Sequence, residues 1–415
     1  MAKTDNLTDF LTDIADAIRE KKGITGTINP QDFSSEIASI ESGGGSGGGS
    51  ITPASVSDVN FYDYDGTILY SYTKEQFLAL SAMPELPTRE GLICQGWNYR
   101  WSEAVGYVTT YGKLDIGAMY ITDDGDTRLY IRIATEGRMK VPLYWSQTVA
   151  NGVSIDWGDG SAIQTFTGTG NKNTTHTYAK HGDYVIRLKV VDGCTLGLGN
   201  GSYSYCVMGS TNNNANVYCN MLQAVEIGKN VTSIGDYAFY NCHSLASVSI
   251  PSSVTSIGNN AFNGCTSLAS VSIPQDVTSI GAYAFPHCYS LASVSIPQDV
   301  TSIGMQAFYS CSSLASVIIG NSVTNIGGSA FGGCSSLASI QIPNSVTSIG
   351  TSAFNSCYGM AIYDFTKHTS VPTLVSTNAF TNIPSDCVIK VPSSLLSAWK
   401  SATNWSTYAS KIVAG

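Results

Sequence analysis

Few residues in this chain are spaced for chemistry, and most of the reactive types recur in patterns that serve structure. Acidic residues gather at Asp-Gly turns: Asp63 and Asp65 in YDYDGT, Asp123, Asp124 and Asp126 in TDDGDT, and Asp156 and Asp159 in IDWGDGS. A calcium loop spreads its oxygen ligands at alternate positions over about a dozen residues. These clusters are too short for that, so solvated turns are expected. The five histidines, His176, His181, His243, His287 and His368, have no acidic or thiol neighbour at zinc-ligand spacing. No metal and no cofactor is expected. Serine is too abundant for a hydrolase triad to be picked out. Of the eleven cysteines, Cys242, Cys265, Cys288, Cys311, Cys334 and Cys357 each follow the last by 23 residues. One repeated position is not a set of pairs, so a buried, reduced cysteine ladder is expected instead of disulfides.

The same period separates constant letters from variable ones. Leu222 to Leu337, Val231 to Val346, Ile234 to Ile349, Gly235 to Gly350 and Phe239 to Phe354 all recur in steps of 23. Between them the variable positions are rich in aromatic, imidazole and amide groups. On a rigid scaffold such side chains supply contact area and hydrogen bonds at modest entropic cost. Tyr237, Tyr240, His243, Asn260, Tyr283, His287, Tyr289 and Tyr309 are therefore the candidate ligand-binding residues, with solvated loop positions as the plainer alternative. Trp97, Tyr99 and Trp101 form a second aromatic cluster that reads as core.

What must position these residues is a stack of coils. Each coil reads L-A-S-V-x-I-P-x-x-V-T-x-I-G-x-x-A-F-x-x-C-x-S. Val248 and Ile250 alternate inward around an outward Ser249, as in a strand. The repeated glycine follows an inward isoleucine, where a residue without Cβ lets the backbone turn tightly. No single coil can bury its Leu, Val, Ile and Phe, so coils stack about 4.8 Å apart, and six would make a rod of about 30 Å. These residues resemble the BspA-like, treponemal-type leucine-rich repeat. The resemblance implies a solenoid over 201–358 and a C-terminal cap over 359–415, with Leu395, Leu396, Trp399, Trp405 and Ile412 lying over the last coil.

The segments before the coils read differently. Residues 1–42 carry apolar faces at helical spacing, Leu7, Phe10, Leu11, Ile14 and Ile18 and then Phe33, Ile37 and Ile40, too short to be stable alone, so a helical attachment or oligomerisation module is expected. GGGSGGGS, 43–50, is a tether reaching roughly 15 Å on average. Residues 51–140 predict a small β-rich domain with one helix, Thr73 to Met83. Residues 141–200 predict a β-sandwich, with Tyr184, Ile186, Leu188 and Val190 on one strand face. WGDGS (157–161) and HTYAKHGDYVIRLKV (176–190) resemble the polycystic-kidney-disease Ig-like domain, implying an extracellular spacer or adhesion module. YDYDGT also matches the nucleophile motif of haloacid-dehalogenase-type phosphatases, which implies Asp63 as nucleophile and Asp123 and Asp124 as metal ligands. That family needs a doubly wound α/β core, which 51–140 does not predict, so hairpin turns are expected and no catalysis.

Composition bounds the function. Only 12% of residues are charged and the formal net charge is −9, so nucleic acid is not an expected partner. No apolar run is long enough for membrane insertion, and MAKTDNLTDF lacks the features of an export signal. LTDIADAIREKKGITGTINPQDFSSEIASI resembles the helical N-terminal module of phage and prophage structural proteins. The expectation is a mainly β, non-enzymatic virion protein assembled in the host cytoplasm, a tail fibre or other receptor-binding component. It would bind a host cell-surface glycan or protein through the solenoid and other virion proteins through 1–42, with a homotrimer as one possible state. The alternatives are a capsid or tail decoration protein and a bacterial cell-surface adhesin.

Overall fold

The computed structural model describes residues 58–64, 67–99, 101–134, 139–199, 205–210 and 218–415. The helical module expected at 1–42, the linker at 43–50, and Asp65 lie outside the described residues. Val56–Gly415 forms one compact unit.

The first layer is a four-stranded sheet. Strands β1 (Val59–Tyr62), β2 (Ile68–Tyr72), β3 (Leu92–Trp97) and β4 (Leu114–Thr122) lie in the order β2-β1-β4-β3, with β1 parallel to β4 and the other pairs antiparallel. A parallel pair needs a crossover, and this one contains both helices. Helix α1 (Lys74–Leu78) starts in a capping box between Thr73 and Gln76. It ends at Leu78, short of the helix expected to Met83. Helix α2 (Trp101–Tyr111) was not expected; its aromatic and β-branched residues read locally as strand. The small β-rich domain is thus an α/β layer. Its core holds Val59, Phe61, Phe77, Trp97, Tyr99, Val108, Leu114 and Ile116, so the aromatic cluster at 97–101 is core as read.

Strand β5 (Thr127–Ile133) falls inside the expected 51–140 domain yet belongs to another sheet. It pairs with β10 (Gly182–Val190) on one side and with Leu222–Glu226 of the first coil on the other. β7 (Val153–Asp156) and β8 (Gln164–Thr165) extend that sheet beyond β10. The facing sheet runs β9 (Gly170–Thr177), β6 (Lys140–Gln147), β11 (Leu196–Leu198), and β11 then pairs in parallel with Ser233–Ile234 of the first coil. Each sheet therefore continues without a break into a ladder of the solenoid. Leu129, Leu143, Trp145, Ile155, Trp157, Ile186 and Leu188 share one core with the coils as far as Ile412. Residues 141–200 and 201–358, expected as separate domains, share one hydrophobic core.

In the solenoid, Ile234, Ile257, Ile280, Ile303, Ile326, Ile349 and Leu374 form one parallel ladder. The S-V-x strands form a second, for example Ser293–Ser295 against Ser316–Ile318. Val248 and Ile250 point inward, 1% and 2% exposed. On the third side Phe262, Phe285, Phe308 and Phe331 stack at 5.0–5.5 Å, nearly parallel. Each repeated glycine serves the stack more than its own turn: a Cβ at Gly281 would lie 2.6 Å from the Asn259 nitrogen of the coil before. Left-handed backbone falls two residues later, at Tyr237, Asn260, Tyr283, Gln306, Ser329 and Ser352, and again four residues beyond each, at Asn241, Gly264, His287, Ser310, Gly333 and Ser356.

Coils continue past 358, into the expected cap. Ile362–Asp364, Val388–Val391 and Ile412–Ala414 each add a parallel strand. Closure comes from Trp399 and Trp405, both buried, packed on Phe365 and on Phe365 and Phe380 respectively. Leu395 and Leu396 are partly buried against the same core and Ile412 is buried. A capped end hides backbone groups that would otherwise template another chain.

Candidate ligand-binding site

The outward faces of the S-V-x strands are where the α/β layer sits. Ser249, the serine expected to face solvent, is 1% exposed. Its hydroxyl donates to the Tyr120 carbonyl, 3.2 Å away. Ser270 Oγ donates to the Tyr64 carbonyl at 3.2 Å, and Ser295 Oγ lies 2.6 Å from the Tyr99 hydroxyl. One register further, Ile318 enters the core of the α/β layer itself. Small hydroxylated side chains let two backbones approach closely and give their own hydroxyls a partner.

Beyond Ile318 the covered face ends and the letters change. At the same outward position, in steps of 23, Ser249, Ser272, Ser295 and Ile318 are followed by Gln341 and Asp364, and Lys390 pairs in register with Asp364. Together with Lys113 and Tyr107 of the α/β layer and Ser316, Ser339 and Ile362 of the coils, they line a cavity of about 310 Å³. That is at the lower end of the range for small-ligand sites, roughly 300–1,000 Å³. Asp364 accepts the Thr366 amide at 2.8 Å. Among the ion pairs of the described residues, none involves Lys113, Asp364 or Lys390. A second groove, about 430 Å³, adjoins the first and shares Lys113, Ala315 and Ser316 with it; Asp58, Asp115 and Ser293 also line it. Sequence reasoning missed this site, although its signal is there: the outward letter stops being serine in the late coils.

The candidates read from the variable letters lie along the Ala-Phe turns. Tyr237 and Tyr240 touch edge to face at 5.6 Å. His287 meets Tyr289, whose hydroxyl is 3.3 Å from Nδ1, and Tyr309 at 5.6 Å. Burial lowers the His287 pKa, so this ring holds its proton less readily than a free histidine. Tyr283 contacts Met305 of the next coil. His243 Nδ1 bonds the Gly264 carbonyl at 2.7 Å, and Asn260 Oδ1 accepts from Asn263 at 2.8 Å. The turns thus gather two aromatic groups, Tyr237 with Tyr240 and His287 with Tyr289 and Tyr309. Tyr237, Asn260, Tyr283 and His287 also hold left-handed backbone, which is a second reason for the residue type at Asn260 and His287.

Side chains of the chain itself bond Asp63, Asp123, Asp124 and Asp159. Asp63 is fully buried, accepting from Arg89 Nε at 2.6 Å and from the Tyr64 amide. Arg128, largely buried, bonds Asp123 at 2.7 Å, Asp124 at 2.9 Å and Glu226 at 3.2 Å. Asp159 bonds His176, which stacks on buried Trp157. Against the cost of burial, bonds from Ser161 and His176 hold its pKa at about 2. Among the described residues, no cluster of three or more His, Cys, Asp or Glu is placed to hold a metal, and no helix is long and apolar enough to cross a membrane.

A family model described as BspA type leucine rich repeat region matches residues 210–338 and 301–406. No curated protein matches the chain. Among solved structures, a leucine rich repeat protein of T. pallidum is 29% identical, over 47% of this chain and 84% of that one, with a TM-score of 0.37. A leucine-rich repeat protein from Bacteroides ovatus is 22% identical over 57% and 70%, TM-score 0.35. A leucine rich cell surface protein from Faecalibacterium prausnitzii is 26% identical over 43% and 76%, TM-score 0.21. The coils of this chain are therefore similar to BspA-type leucine-rich repeats, from 210 to 406.

Proposed function

We propose that this chain is a non-enzymatic binding protein that engages a carboxylate-bearing glycan of a cell surface in the groove between the α/β layer and the late coils. The observation that carries this is the change of the outward strand row from serine under the α/β layer to Gln341, Asp364 and Lys390 beyond it, opposite Lys113. The lining of this groove carries two lysines, Lys113 and Lys390, and one carboxylate, Asp364, with Asp115 beyond Lys113 in the adjoining groove; the lysine excess in the lining favours an anionic ligand. Residues 1–42 carry the attachment role in this reading, as the module that would join a virion or self-associate, and the Ig-like strands at 141–193 support the first coil. The phage-type N-terminal resemblance favours a receptor-binding virion component, a tail fibre or a decoration protein. The match to BspA-type repeats favours the second reading, a bacterial surface adhesin using the same groove.

The test is binding of the full chain to immobilised uronic-acid oligosaccharides and to neutral oligosaccharides of equal length. Preferential binding of the acidic series, weakened at least tenfold by Lys390→Glu, is expected. Binding that survives Lys390→Glu and is lost with alanine at Tyr237, Tyr240 and Tyr283 would move the site to the Ala-Phe turns.

A further inference from the structure

The cysteine ladder begins one coil earlier than the repeat suggests, since Cys219 lies 23 residues before Cys242. From Cys265 onward each thiol has the same partner, the phenylalanine carbonyl of the coil before. Cys265 donates to Phe239, Cys288 to Phe262, Cys311 to Phe285, Cys334 to Phe308 and Cys357 to Phe331, at 3.1–3.3 Å. At the start of the ladder the arrangement differs. Cys206, on the short hairpin Tyr205–Cys206 and Gly209–Ser210, places its sulfur 2.7 Å from the sulfur of Cys219. That is closer than two unbonded sulfur atoms settle, and it approaches the bond length of about 2.05 Å. Both side chains are fully buried.

We propose that Cys206 and Cys219 form a disulfide when the chain folds in the presence of a low-molecular-weight disulfide such as oxidised glutathione. One cysteine thiolate attacks the glutathione disulfide, bonding to one of its sulfurs and releasing the other as a thiolate. The second cysteine thiolate then displaces the attached glutathione. Two cysteine thiols are oxidised, one glutathione disulfide is reduced to two thiols, and the two cysteine protons end on glutathione. Exchange precedes burial, so the bond forms before the hairpin closes over the first coil.

The bond has a structural purpose. The hairpin is the clasp between the N-terminal sheets and the solenoid: the Val207 amide donates to Ala238 of the first coil at 2.8 Å, and its carbonyl accepts from Tyr144 of β6 at 3.0 Å. A covalent link there fixes the start of the stack, where no earlier coil supplies a carbonyl ladder. Cys265 to Cys357 stay reduced, each satisfied by its carbonyl, and Cys242, which neighbours Cys219, stays reduced with them.

The experiment refolds the full chain in a glutathione redox buffer, blocks free thiols under denaturing conditions and cleaves at methionine. Fragments 140–208 and 209–221 are expected to remain joined without reductant, to separate with it, and to separate in either case for Cys206→Ser. Oxidised native chain is expected to melt several degrees above reduced chain, a difference absent in Cys206→Ser. Alkylation of both Cys206 and Cys219 after oxidative refolding, or a link from Cys219 to Cys194 that persists in Cys206→Ser, would overturn the proposal.

Discussion

Gly117 of β4 faces Ser272 of the solenoid so closely that a Cβ on the glycine would fall 1.9 Å from the serine Oγ. The contact lies in the middle of the docking face, between the Tyr99–Ser295 and Ser249–Tyr120 hydrogen bonds. β4 is an inner strand of its sheet, so its backbone cannot swing aside to make room. Gly117→Val is expected to lift the α/β layer off the strand face while leaving the coils folded. Hydrogen exchange should rise in 92–99 and 114–122 and stay unchanged in 279–350; unaltered exchange in both regions would contradict the docking described.

Asp115 lies in the same interface, nearly buried, with Asn60 donating to it at 3.2 Å. Burial raises its pKa, against hydrogen bonds from Asn60, Ser316 and Tyr62 and the charge of Lys113. A raised folded value means that the stabilisation is complete below the unfolded pKa and is lost as pH rises through the folded one. Asp115→Asn, neutral at every pH and still able to accept from Asn60 at Oδ1, is expected to stabilise the protein at pH 7 by about 1 kcal/mol. Thermal melts from pH 7 down to pH 4 should show the advantage of the variant shrinking; an advantage independent of pH would refute this assignment.

Arg128 neutralises Asp123, Asp124 and Glu226 where the β4–β5 turn meets the first coil. The acidic partners in return raise its pKa despite the cost of burial. Arg128→Met leaves buried carboxylate without a cation, and a loss of about 3–5 kcal/mol is expected, read by urea unfolding. Since the guanidinium already fills the place a cation would take, millimolar calcium should leave the melting temperature of the native chain unchanged.

Phe308 stacks between Phe285 and Phe331 at 5.4 and 5.5 Å, fully buried. Phe308→Ala opens a cavity that neighbouring coils cannot close without breaking register, so a loss of about 3–5 kcal/mol is expected. Its neighbour Tyr309, half-buried on the turn, should cost less than about 1 kcal/mol as alanine. Equal losses at the two positions would mean that the stack does not hold the coil.

The sequence by itself determined the coil. Its 23-residue period names the buried Leu, Val, Ile, Phe and Cys of every turn, because a position repeated at constant spacing occupies the same environment in each coil. The resemblance of the C-terminal segment to a repeat cap also placed Trp399 and Trp405 over the last coils, where both are buried. What only the tertiary structure decided is where other segments meet these coils. Thr127–Ile133 reads as the strand after an Asp-Gly hairpin, yet it pairs with Gly182–Val190 and Leu222–Glu226, and no local pattern encodes a partner so far along the chain. The serines at 249, 272 and 295 look like solvated positions for the same reason: a hydroxyl serves equally well facing water or facing the backbone of a docked layer. Burial of that face, and the groove left open beside it at Gln341, Asp364 and Lys390, follow from the fit between two surfaces formed by residues about 150 to 200 positions apart.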